Sequence, residues 1–107
     1  MGQGSSYPPS SGVRRAQRNV PTTGQTVTVG TGVAALVLEP AGLLAALTVA
    51  MPSSPIDGQC LAITCTQIVT ALTMSGGTIV SALTALTANG FAEWIYIAAS
   101  TTWYRIG

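Results

Sequence analysis

The sequence predicts an all-β domain, a small sandwich or jelly-roll-like fold of about eight short strands with an extended N-terminal arm. Three observations predict it. Thr, Val and Ile are abundant and recur with period two. Turn residues punctuate the chain at short intervals, with 12 Gly and 6 Pro in 107 residues. Nearly all apolar runs are too short and too often interrupted for helices.

The elements follow in order. Residues 1–24 read as an arm, because Met1 to Gly12 is Gly, Ser, Pro and Gln with one aromatic, Tyr7. Such a composition cannot bury enough apolar surface to fold alone, and Pro8-Pro9 stiffens it toward polyproline II. Residues 25–107 form the body. Thr26-Val27-Thr28-Val29 alternates as a half-buried strand does. Gly30-Thr31-Gly32 is a turn before a second strand, Val33 to Leu38. A third runs from Leu43 to Met51; Leu and Ala also favour helix there, but the eight residues of Leu43–Ala50 make a short one. Asp57-Gly58 is a turn leading into Gln59 to Thr66, with Leu61, Ile63 and Cys65 on one face. Ser75-Gly76-Gly77 separates two echoing segments, Val69-Thr70-Ala71-Leu72-Thr73 and Val80-Ser81-Ala82-Leu83-Thr84, which predicts a β-hairpin. Ala88-Asn89-Gly90 turns into the last pair, Phe91 to Ala98 and Thr102 to Ile106.

A four-residue loop in that last pair sets Ile97 opposite Thr102, Tyr96 opposite Trp103 and Trp94 opposite Arg105. Trp94, Tyr96, Trp103 and Arg105 then share one face, and an Arg over Trp is a cation–π contact. Ile95, Ile97, Tyr104 and Ile106 occupy the other, with Glu93 at its edge. The face with two Trp suits an oligomer interface or a surface aromatic site for sugar, or it simply packs the subunit.

Composition bears directly on function. The chain has no His and no Lys. Its charged residues are Arg14, Arg15, Arg18, Glu39, Asp57, Glu93 and Arg105, 7 % of the chain, against about 25 % in ordinary soluble domains. Acid–base catalysis and metal ligation lack their usual parts, and no phosphate loop, dinucleotide fingerprint or nucleophile triad is present. The expectation is a non-enzyme without cofactor, metal or small-molecule substrate. Cys60 and Cys65, five apart, face opposite sides of one strand and read as free thiols. Arg14-Arg15 is followed by polar residues, so no twin-Arg signal is expected, and no segment reaches the ~20 apolar residues of a membrane span.

A weakly charged surface of small side chains suits a module buried against copies of itself. Residues 1–20 carry three Arg and no acid, while residues 21–107 carry one Arg and three acids. The arm is therefore expected to dock on an acidic surface through Arg14, Arg15 and Arg18, with Tyr7 as an apolar anchor. Nucleic acid is not the expected partner, since aromatics do not interleave with the Arg cluster.

The ending Phe91-Ala92-Glu93-Trp94-Ile95-Tyr96 and Thr102-Trp103-Tyr104-Arg105-Ile106-Gly107 resembles the C-termini of small tailed-bacteriophage virion proteins. So does Asp57-Gly58-Gln59 to Ile63 with its Val69–Thr73 continuation, and the resemblance covers about residues 44–107. It implies a capsid decoration (cement) protein, a homotrimer on the capsid surface, assembled in the host bacterial cytoplasm, whose arm docks on the major capsid protein or another virion protein. A head or tail fibre component, with or without receptor binding, and a carbohydrate-binding adhesion module are the alternatives.

Overall fold

Strict alternation of apolar and polar residues makes short strands, and their flanking turns decide which sheet each one joins. A computed structural model of the chain describes residues 15–107. Among these it places nine strands and no helix. They are β1 Ala16–Asn19, β2 Thr26–Thr28, β3 Ala35–Leu38, β4 Leu47–Ala50, β5 Cys60–Cys65, β6 Leu72–Ser75, β7 Thr78–Ile79, β8 Phe91–Ile97 and β9 Thr102–Arg105. Six form one sheet in the order β1-β3-β5-β8-β9-β7, and three form a second, β2-β4-β6. The chain is all-β and two-layered, as its pattern predicts.

The winding differs from a jelly roll. From β1 to β6 successive strands alternate between the two sheets, and within each sheet they run parallel. Each circuit therefore climbs by one strand, the geometry of a short solenoid. Leu44 and Val69 add a parallel bridge between the second and third circuits. The chain then leaves the winding. β8 pairs antiparallel with β5, β9 with β8, and β7 parallel with β9. The edge that β5 would have offered to a further circuit is thereby covered.

The core lies between the sheets. On the larger sheet Leu36 stands beside Ile63, Leu38 beside Cys65, and Leu61 beside Trp94; on the smaller, Val27 stands beside Val49 and Leu47 beside Leu72. All ten are buried, and each large aliphatic side chain removed from water contributes about 1.5–3 kcal/mol. The same inward positions on β1 hold Gln17 and Asn19, over Leu36 and Leu38. The Gln17 amide donates to the Thr28 carbonyl (3.0 Å) and to Asn19 Oδ1 (2.8 Å), and Gln17 Oε1 accepts from the Gly30 N–H (2.8 Å). The first circuit thus ends the apolar stack with a satisfied polar layer, as the terminal repeats of solenoids do.

Two expectations are corrected here. The arm was expected to reach residue 24, but Ala16–Asn19 pairs with β3, so the first circuit belongs to the body. The echoing segments on either side of Gly76-Gly77 do not form a tight hairpin, since β6 and β7 lie in different sheets. They still meet as a wide loop. Val69 and Leu86 exchange backbone hydrogen bonds (2.9 and 3.0 Å), and the Leu72 N–H donates to the Thr84 carbonyl (2.8 Å). The turn itself is constrained: Gly76 has φ +95°, and a Cβ there would sit 3.0 Å from the Met51 nitrogen. Only glycine meets both demands.

Candidate assembly surface

The last hairpin has the predicted register, with Ile97 opposite Thr102, Tyr96 opposite Trp103 and Trp94 opposite Arg105. Arg105 lies 5.8 Å from the centre of the Trp94 ring, and the Tyr96 and Trp103 rings pack tilted at 5.2 Å. Burial decides among the three readings of this face. Trp94 and Trp103 are buried, at 0 % and 1 % exposure. The Trp94 indole N–H donates to the Val80 carbonyl (3.0 Å). Arg105 is held at the rim by the carbonyls of Gly107 (2.9 Å) and Ser81 (3.2 Å). The four residues do come together, but they close the core rather than present a surface. The physical reason is area: two Trp bury more apolar surface than any pair on the opposite side, so that face turns inward.

The opposite face is consequently left outward. On β8 it presents Phe91, Ile95 and Ile97, and beside them stand Tyr104 and Ile106. Phe91 is 70 % exposed and Ile106 55 %. The registers continue the face across Cys60, Ala62 and Thr64 of β5 to Ala35 and Val37 of β3. Its charged members are Glu93 on β8 and Arg18 on β1. All nine strands belong to one sheet or the other, and the smaller sheet covers the inner side, so no strand among the described residues covers this one. Phe91 is what the sequence reading passed over. The alternation had already grouped Ile95, Ile97, Tyr104 and Ile106, but it does not say which of two apolar faces goes in.

The arm residues divide. Tyr7 and Arg14 lie outside the described residues. The Arg15 carbonyl accepts from the Ala34 N–H (2.8 Å) and the Ala35 N–H (3.2 Å), while its side chain is at the surface. Arg18, on β1, is ion-paired with Glu39, so its charge is already met within the body. Asp57 accepts the Ala98 N–H (2.8 Å) and ties the loop before β5 to the β8–β9 turn. Among the described residues, no three His, Cys, Asp or Glu side chains gather as a metal site would require. Burial pushes the Cys65 thiol above its ordinary value, and its S–H donates to the Thr87 carbonyl (3.2 Å).

A cleft of about 480 Å³ opens at the end of the molecule where β8 turns into β9. Its walls include Pro52, Pro55, Gly77, Tyr96, Thr101 and Trp103, and no charged side chain lines it.

No family model and no curated protein matches this chain. Among solved structures it is similar to part of a protein in a chaperone–substrate complex, with a TM-score of 0.51 and 13 % identity. The match covers 78 % of this chain and 16 % of the other, so this chain spans only a small part of that protein's length. The likeness is one of fold.

Proposed function

We propose that this chain is a structural module whose activity is assembly, and that it acts as a capsid decoration protein. Copies associate through the outer face of the six-stranded sheet and clamp neighbouring subunits of a larger protein shell. The observation that carries this is the outer apolar face on which Phe91, Tyr104 and Ile106 are exposed and Ile95 is half-buried. A contiguous face of this kind marks an interaction site, and depletion of charge with enrichment of aromatics is the mark of an interface centre. The C-terminal resemblance to phage virion proteins supplies the setting and the trimeric state. Arg15, where the described chain begins, and Arg14 before it in sequence add a basic contact for an acidic shell surface.

The polar layer of Gln17 and Asn19 bears on the fibre alternative. A fibre shaft that continued this winding past β1 would bury those two side chains under another apolar circuit. A discrete domain has no such cost, which favours decoration. A sugar platform built on Trp94 and Trp103 is not supported, since both rings are inside.

Two measurements test the reading. Sedimentation should find a concentration-dependent oligomer, and a strict monomer at high micromolar concentration would sink self-association. Quantitative mass spectrometry of particles should find copies in proportion to shell subunits; a handful per particle would overturn decoration.

A further inference from the structure

The cleft beside the β8–β9 turn is not part of the outer face, and the assembly reading does not use it. It opens where β4 and β6 leave the smaller sheet: Pro52 and Pro55 follow β4, Gly76 and Gly77 follow β6, and Tyr96 and Thr101 belong to the last hairpin. Gly77, at φ +118°, lies on its wall, and a Cβ there would meet nothing within 4 Å. Thr101 lines it with φ +47°, a conformation that is costly for a β-branched residue and that glycine adopts freely. Strain of this kind gathers at ligand sites.

The chemistry of the wall narrows the ligand. No charged side chain lines the cleft, so an ion entering it would give up hydration without a partner. The Tyr96 ring, half-buried and braced by Trp103 at 5.2 Å, supplies a flat apolar wall, and Pro52 and Pro55 add to it. The hydroxyls of Ser53, Thr78 and Tyr96 and the indole N–H of the buried Trp103 make no hydrogen bond among the described residues. A purely apolar ligand would leave those groups without partners. The ligand that fits is neutral, with one apolar face and a rim of groups that both donate and accept. A pyranose ring has that form: its axial C–H groups make the face and its hydroxyls the rim. A polyproline segment has apolar faces but no N–H to donate, so it would leave the accepting side of the wall hydroxyls unused. We infer that this cleft is a binding site for a neutral hexopyranoside, stacked on Tyr96 and hydrogen-bonded to Ser53 and Thr78. The volume of about 480 Å³ is in the range of small-ligand sites. The site is distinct from a platform on Trp94 and Trp103, because Tyr96 meets the ligand and Trp103 only holds that ring in place.

The test is a titration of the ¹⁵N-labelled full-length chain with the methyl glycosides of glucose, galactose, mannose and N-acetylglucosamine. At least one should shift the amides of Gly77, Thr78 and Thr101, with saturation in the millimolar range. The Trp94 indole signal, bonded to Val80, should stay in place. Tyr96→Ala should weaken the best glycoside by about tenfold. Tyr96 also packs on the core, so a second variant guards against a folding defect. Thr78→Val keeps the side-chain shape and removes no side-chain hydrogen bond among the described residues; it should weaken binding by about three- to tenfold. Shifts that do not saturate with any of the four glycosides, or binding that both variants leave unchanged, would overturn the inference. So would a hexaproline peptide that saturates the same signals where the glycosides do not. Sedimentation of the Thr78→Val protein should match that of the unaltered chain, which separates loss of this site from loss of the outer face.

Discussion

The two outer faces of this molecule are built from the same strand period and differ completely in what they offer. Outside the three-stranded sheet, Thr26, Thr48 and Thr73 stand side by side, and Thr28, Ala50 and Ser75 form the next row. Five of these six side chains carry a hydroxyl, and the sixth is the small Ala50, so the face is at ease in water. Outside the six-stranded sheet, the corresponding positions hold Phe91, Ile95, Ile97, Tyr104 and Ile106. One face needs nothing, whereas the other leaves large apolar side chains in water. The contrast is local to the last hairpin: the strands that cover the edge of the winding also leave apolar side chains outward, and the proposed assembly rests on that surface.

The comparison can be broken most severely from within the larger sheet. Trp94→Ala removes the largest inward side chain and its bond to Val80, and should cost about 3–5 kcal/mol. Denaturant unfolding should show a collapsed midpoint or no folded state; a loss under 1 kcal/mol would mean that the ring does not hold the sheets together. Next is the outward side of the same strands. Phe91→Glu with Ile106→Glu should abolish self-association, since central interface residues are worth about 2 kcal/mol or more each. The melting temperature of the monomer should barely move. Thr73→Glu, on the hydroxyl face, should leave the sedimentation profile as it is. If both changes acted alike, the two faces would not differ in function.

Two smaller effects sharpen the inside–outside contrast. Cys60 stands on the outer side of β5, half-buried, and Cys65 on the inner side. Mass spectrometry after iodoacetamide treatment should find Cys60 alkylated first and Cys65 protected until the chain unfolds. Because burial raises the Cys65 thiol, its contribution to stability is fully present below the unfolded thiol value of about 8.5. It is lost as pH rises from there through the folded value. Cys65→Ala should therefore flatten the alkaline fall in stability between about pH 8.5 and the folded value. The smallest effect is at Arg18, paired with Glu39 but largely exposed. Arg18→Ala should change stability by less than about 1 kcal/mol, and thermal denaturation in raised salt should shrink even that.

Much of the fold was legible from local pattern. The inward row Leu61, Ile63 and Cys65 follows from period two. The register of the last hairpin follows from its loop length, which sets every pair from Ile97–Thr102 to Trp94–Arg105. The positive φ of Gly58 and Asn89 follows from the Asp-Gly and Asn-Gly turns that contain them. The candidate site was half legible. The residues of both hairpin faces were correctly grouped, yet alternation left open whether the Trp-bearing face packs the subunit or forms a surface, and Phe91 was left out.

From the sequence alone it follows that the chain is all-β, where most strands lie, which side chains share a face, and that it holds no His and no Lys. These are properties of residue type and short spacing, and alternation carries them whatever the strands pair with. The tertiary structure alone decided the parallel winding, the entry of Ala16–Asn19 into the sheet, and the burial of Trp94 and Trp103. Each of those depends on which strands become neighbours across 19 to 35 residues of chain, as in Ala16 beside Ala35 and Cys60 beside Ile95. The free energy that selects those neighbours comes from area buried between two sheets, and no local window of sequence contains both surfaces.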